Sequence, residues 1–286
     1  MNYNAPLLRG GVFAGLGYAP RTFRYHDSSI YKNNGTLAGY VNDNGADSPN
    51  KQWKFDPYLG RQTLGWSQAA GQSVRISTAS APTYPLTLTA WIKKNSSLSG
   101  SSSLDGILSW GNPGQGPYVG ATIQLFGASG PTYKLAGTLG SNTGIGSDDR
   151  RTLATTAYAI TTQWCHVAGI FRAFDDITLY VNGVSYAGDW TGTAASAGFV
   201  SGGVVGILRD SLEFGGLIAD PCVFPRVLSP SEIACLADPT NVMLSCGGVD
   251  AILPPFRKWW VIGGGGAPAA KPWLYRRRNQ VIGAGL

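Results

Sequence analysis

Alternation sets the rhythm of the first 250 residues. In residues 86–92, Leu86, Leu88, Ala90 and Ile92 fall on one side of an extended chain, and Thr87, Thr89 and Trp91 on the other. That period of two is what a pleated strand imposes. A weaker alternation in 73–77 predicts another strand. Residues 106–110 form a short apolar run halted by Gly111, Asn112, Pro113 and Gly114, residue types that turn the chain. Residues 121–126 and 132–139 read as a strand pair, and 204–208 and 214–223 as later strands. Residues 164–172 are apolar on both faces, the mark of a strand inside a sheet. Residues 177–181 alternate and run into Asn182-Gly183, with 184–187 returning. Asn-Gly is the pair a two-residue hairpin turn prefers, because both central positions take positive φ. Asp175 and Asp176 read as the turn before that strand.

One helix interrupts the strands. Ser229, Pro230 and Glu232 place an N-cap serine, a proline at the first helical position and a glutamate at the third, a capping box with its preferred proline. The helix is predicted over 230–237. It ends at Asp238, because the residue before Pro239 avoids the α region. The serine-rich stretch 95–103 reads as a loop. Beyond Asp250 the strand rhythm stops.

Composition agrees with the pattern. Charged residues are 13% of the chain, about half the ordinary share, and glycine is about twice its usual level. Glutamate occurs only at 213 and 232. Such a chain favours strands and tight turns over helices. No export signal is recognisable at the start, and no run of about 18 apolar residues spans a membrane. Synthesis in a cytoplasm is expected.

Charge divides the chain in two. All 16 acids lie in residues 1–250 and are balanced there by 16 of the 22 Lys and Arg. The remaining six, Arg257, Lys258, Lys271, Arg276, Arg277 and Arg278, supply the net +6. They are interleaved with Trp259, Trp260 and Trp273, and with the glycine run 263–266. The expected organisation is a β domain over 1–250, its first ~20 residues a lead-in, and an extended anchoring arm over 251–286. Trp, Tyr and Arg are the usual anchors of protein interfaces. A protein partner is therefore expected at Arg257, Lys258, Trp259, Trp260, Trp273, Arg276, Arg277 and Arg278, in preference to nucleic acid.

Ordered motifs then point to a family. Trp164, His166, Val167 and Ala168, followed by Leu179, Tyr180, Val181, Asn182 and Gly183, carry a W-x-H-V-A…L-Y-V-N-G pattern. Downstream come Phe214 to Phe224 and the closing Leu228, Ser229, Glu232 and Ile233. Upstream, residues 27–37 resemble a D-x-S-G-x-x-N-H-G-T-L opening, with Asn34 in place of histidine. Together these resemble the concanavalin A-like lectin/glucanase superfamily in its laminin-G-like branch, over about residues 20–240. The resemblance implies an all-β fold, a two-sheet antiparallel jelly-roll sandwich with one short helix. It also implies that the family histidine, here His166, is structural.

Hydrolytic members of that superfamily carry a Glu-x-Asp-x-x-Glu strand, and none is present, so no catalytic residue is expected. Glycosidases need two facing carboxyls. Glu213 has no partner glutamate, and Glu232 belongs to the cap. Two histidines, His26 and His166, are too few for a zinc site. No cofactor is expected. For calcium, which takes several oxygen ligands, Asp105, Asn112, Asp148, Asp149, Asp189 and Asp210 are loop candidates. Aromatic platforms for a sugar are Trp66, Trp110, Tyr118, Tyr133 and Trp190. Cys165 reads as a buried thiol. Cys222, Cys235 and Cys246 are close enough for one bridge, whose formation the sequence leaves open.

A laminin-G-like sandwich followed by a short basic, aromatic arm also resembles proteins of tailed bacteriophages. The expectation is a non-enzymatic virion structural protein, a capsid decoration or other head or tail surface component. It would be homo-oligomeric, with the sandwich outward and the arm docked on neighbouring subunits. The alternative is a carbohydrate-binding adhesion module.

Overall fold

The alternating segments become strands of two facing antiparallel sheets. The computed structural model describes residues 13–14, 24–25, 35–38, 53–66, 73–78, 81, 83–94, 104–111, 118–127, 132–157, 159–207, 212 and 214–240. The strands, in chain order, are β1 (Phe13–Ala14), β2 (Arg24–Tyr25), β3 (Gly35–Ala38), β4 (Trp53–Asp56), β5 (Arg61–Trp66), β6 (Ser73–Ile76), β7 (Leu86–Lys94) and β8 (Leu104–Trp110). They continue with β9 (Val119–Phe126), β10 (Lys134–Ser141), β11 (Arg150–Thr155), β12 (Cys165–Ala173), β13 (Asp176–Val181), β14 (Val184–Tyr186), β15 (Gly188–Thr191), β16 (Gly203–Val205) and β17 (Gly216–Phe224). The helix α1 covers Pro230–Ala237, too short to cross a membrane.

The first sheet runs β14-β13-β12-β7-β17-β5-β4, with β1 also paired to β17. The second runs β15-β11-β10-β9-β8-β16-β6-β3-β2. β12 lies between β13 and β7, the internal place its two apolar faces require. Asn182 and Gly183 take φ of 50° and 82° at the β13–β14 turn, as that dipeptide predicts. β13 begins at Asp176, one residue before the expected start, because Asp176 pairs with Ala173 across the tight β12–β13 turn.

The core lies between the sheets. Leu86, Leu88, Ala90 and Ile92 of β7 face Ile123, Leu125, Leu135 and Leu139 in one apolar cluster. Phe171 fills room left by two glycines. A Cβ on Gly169 would stand 3.0 Å from its ring, and one on Gly137 3.4 Å.

The outer face of the first sheet is dry as well. Ala168 and Ile170 of β12, Tyr180 of β13, and Cys222 and Phe224 of β17 pack under Leu228, Ile233 and Leu236. β7 therefore has both faces buried, although its alternation predicted one. The helix fits here because its cap holds it. Ser229 Oγ accepts from the Glu232 backbone N–H, and Glu232 accepts from the Ser229 backbone N–H at 2.8 Å. Arg226 grips Glu232 with two bonds of 2.6 and 3.1 Å. That grip, with the cap bonds, lowers the Glu232 carboxyl from 4.5 to about 2.

Candidate functional site

The motif that carries the resemblance is a fastening. Asn182 Oδ1 accepts from the His166 backbone N–H at 2.9 Å, and the Asn182 N–H donates to the His166 carbonyl at 2.8 Å. The His166 ring lies edge-on to Trp91, 5.5 Å between centroids. Trp91 Nε1 donates to the Leu236 carbonyl near the end of α1 at 3.1 Å. Trp164, Trp91, Leu59 and Ala219 form one buried group. His166 is thus a structural residue linking strand, hairpin and helix.

The polar chemistry gathers on the second sheet. Arg75, Val204, Ser109, Thr122, Thr138, Thr152 and Thr191 are cross-strand partners in a single row. The row faces away from the core, since the intervening Ala121, Ile123, Leu139 and Leu153 point into it. Its middle is closed on itself. Thr122 donates to Ser109 at 2.8 Å, Gln124 Nε2 donates to Thr138 at 3.1 Å, and the Thr138 and Thr152 hydroxyls are 2.9 Å apart. Leu104 and Tyr118, on this same face, join Leu212 in a small apolar cluster. Ser109, Thr122, Gln124, Thr138 and Thr152 are all buried, whereas Thr191 and Asp189 at the β15 edge are exposed.

At one end of this face the loop 142–149 and the loop 192–202 make a rim. Backbone bonds tie the second loop to β9 and β10 and to the first loop. The Gly198 N–H donates to Gly140, the Gly120 N–H to Gly198, and the Thr193 N–H to Ser147, at 2.7–2.9 Å. Within the first loop Asp149 accepts from the Thr143 hydroxyl and from the Gly146 N–H, which holds its carboxyl below the ordinary value. Arginines occupy the first two positions of β11, where the loop enters it. Arg150 bonds the Tyr118 hydroxyl at 2.6 Å, its guanidinium 4.9 Å from the ring centre. Arg151, on the opposite face of the strand, stacks 4.8 Å from the Trp190 ring and donates to the Gly192 carbonyl at 2.9 Å. Asn142, Thr143, Ser147 and Asp148 stay exposed, and Ile145 stands 58% exposed at the tip.

The structure sorts the expected site residues. Trp110 and Tyr133 are core residues at 2% and 1% exposure and offer no platform. Alternation puts them inward, which composition did not reveal. Tyr118, at 4% exposure, is buried beneath Arg150 at the rim, and Trp190 is partly buried there, packed against the core. The side chain of Trp66 lies outside the described residues, as do Glu213, His26, Asn112, Asp210 and Cys246. So do all of Arg257, Lys258, Trp259, Trp260, Trp273, Arg276, Arg277 and Arg278. Asp105 is not a loop ligand for calcium. It is fully buried in β8 against Lys94. Among the described residues no three His, Cys, Asp or Glu converge on one point. Cys165 and Cys222 are buried thiols outside any disulfide, and burial pushes the Cys165 thiol up to about 12. Cys235 is disulfide-bonded, to a partner outside the described residues. Sequence reasoning passed over Arg150 and Arg151. Their signal was the run Asp148-Asp149-Arg150-Arg151 in a chain otherwise poor in charge.

With the sandwich and its rim in place, the family can be stated. A family model described as the concanavalin A-like lectin/glucanases superfamily, of laminin G type, matches residues 67–234. The chain belongs to that superfamily. Solved relatives share its jelly roll at low identity. The binding domain of Paraclostridial Mosquitocidal Protein 1 is 16% identical with a TM-score of 0.53, over 81% of this chain and 52% of that one. The receptor binding domain of botulinum neurotoxin D is 15% identical with a TM-score of 0.54, over 81% and 53%. The binding domain of botulinum neurotoxin DC in complex with SialylT is similar at 15%, TM-score 0.54, over 82% and 53%. The chain thus spans about half the length of these toxin binding domains. No curated protein sequence matches it. For a concanavalin A-like sandwich, the W-x-H-V-A and V-N-G residues are scaffold, and among the described residues the rim carries accessible polar chemistry.

Proposed function

We propose that this chain is a non-catalytic binding module whose rim, around Tyr118, Arg150, Arg151 and Trp190, recognises a glycan. The observation that carries the reading is the pair of arginine–aromatic stacks flanking β11 beside two loops already bonded to each other. Stacked guanidinium groups keep donors free in a fixed plane. Loops ordered before binding lose little entropy on contact. The exposed Asn142, Thr143, Ser147 and Asp148 add hydroxyl and amide partners. The solved relatives named as binding domains support the same reading. Glycan-array binding by the whole chain tests it, with loss on Arg150→Ala or Trp190→Ala in a protein that still unfolds cooperatively. Binding unchanged in both variants overturns it.

The second reading rests on the charge division. Residues 251–286 carry the whole net charge together with three tryptophans. In this reading they dock the module onto neighbouring subunits of a particle, a tailed-phage virion being the expected one, in several identical copies. The partner is protein rather than nucleic acid or membrane. Fully burying one aromatic side chain contributes about 2–3 kcal/mol, enough for three to offset much of the ordering of a glycine-rich arm. Truncation after Asp250 is expected to leave a folded domain that no longer incorporates. Full incorporation of the truncated chain overturns the anchoring role.

A further inference from the structure

Among the described residues, one fully buried ionisable pair lies outside the rim. Lys94 is the last residue of β7 in the first sheet, and Asp105 the second residue of β8 in the other. The Lys94 ammonium nitrogen meets Asp105 Oδ2 between the sheets, and both side chains are at 0% exposure. The Phe214 ring lies 5.3 Å from Nζ. Tyr133, buried beside them, feels the Asp105 charge, and burial together with that charge raises its hydroxyl. Burial pushes the Lys94 ammonium down, against the opposing pull of Asp105. A fully desolvated ion pair gives little net stability, and apolar residues of similar volume commonly serve as well or better.

We propose that Lys94 and Asp105 condense to an intramolecular amide that ties the two sheets together. Each step balances without a co-reactant. A proton passes from the ammonium to the carboxylate, leaving a neutral amine and a carboxylic acid. The nitrogen lone pair adds to Asp105 Cγ, forming the N–C bond, with the protonated Tyr133 as the nearby acid. The C–O bond then breaks, and the hydroxyl departs with a proton from nitrogen as water. Two buried charges are replaced by one neutral amide. The link closes the chain across residues 95–104 and joins strands that belong to different sheets. The inference is independent of what the rim binds.

The test uses the full chain, purified and reduced. Mass spectrometry is expected to find it lighter than its sequence mass by one water. A digest is expected to yield a branched peptide joining the Lys94 and Asp105 segments, with no tryptic cleavage after Lys94. Lys94→Met and Asp105→Ala are each expected to restore the missing water. Folded wild-type protein at full sequence mass, with a linear Lys94 peptide, overturns the proposal and leaves an ion pair. A deficit of one water that persists in Lys94→Met overturns it as well, because the bond then lies elsewhere.

Discussion

The two outer faces of this sandwich solve the same problem in opposite ways. The first sheet turns Ala168, Ile170, Cys222 and Phe224 outward and needs a separate element, α1, to keep them dry. The second turns Ser109, Thr122, Gln124, Thr138 and Thr152 outward and buries them bonded to one another, with Gln124 Oε1 left unbonded. An apolar face costs free energy wherever water reaches it, so it recruits a cover. A buried hydroxyl face needs hydrogen bonds as well as a cover, and each member depends on its neighbours, since an orphaned buried group bears its full desolvation cost. The dry face is thereby committed to structure, and accessible chemistry collects at the end of the other.

That contrast can be broken from either side. Phe224→Ala on the covered face is expected to cost about 3–5 kcal/mol, through lost burial and the cavity left beneath α1. Denaturant unfolding measures it, and a loss below 1 kcal/mol would mean that the helix does not seal this face. Thr138→Val on the hydroxyl face keeps the shape and removes the middle of the chain. It orphans Gln124 Nε2 and the Thr152 hydroxyl, at an expected cost of about 1–3 kcal/mol.

Acid probes the fastening of the cover. Glu232 is held at about 2 by Arg226 and the cap, against an ordinary 4.5. A carboxylate depressed on folding contributes stability above its unfolded value and loses it as pH falls through the folded one. Stability is therefore expected to drop by about 1–2 kcal/mol, after screening of this partly exposed pair, as the Glu232 carboxylate protonates. The window runs from about pH 4.5 down to 2. Glu232→Gln should flatten that part of a pH–stability curve, and an unchanged curve would remove Glu232 from the fastening. Smallest is Thr191→Val, in the same cross-strand row as Thr138 but exposed. It is expected to stay within about 0.5 kcal/mol of wild type. A larger loss would mean that the row acts as one unit to its edge.

The local signals were legible. Asn182-Gly183 predicts its hairpin because the turn's positive φ values are a property of two adjacent residues. Ser229, Pro230 and Glu232 predict α1 at its observed bounds because a capping box spans only four positions. The two apolar faces of residues 164–172 place β12 inside a sheet. The rim was only half legible. Tyr118 and Trp190 stood among five aromatic candidates that composition ranked equally, and nothing local separated them from Trp110 and Tyr133.

What the sequence determined by itself, then, is the period, the turns, the cap, the division of charge at residue 250 and the membership of a sandwich family. The tertiary structure decided which aromatics are core, that both faces of β7 are dry, that seven residues from seven strands form one row, and that Lys94 meets Asp105. The reason is range. A turn or a cap is written in backbone preferences a few residues long. A cross-strand neighbour depends on register and sheet order, which arise only when distant strands pack together.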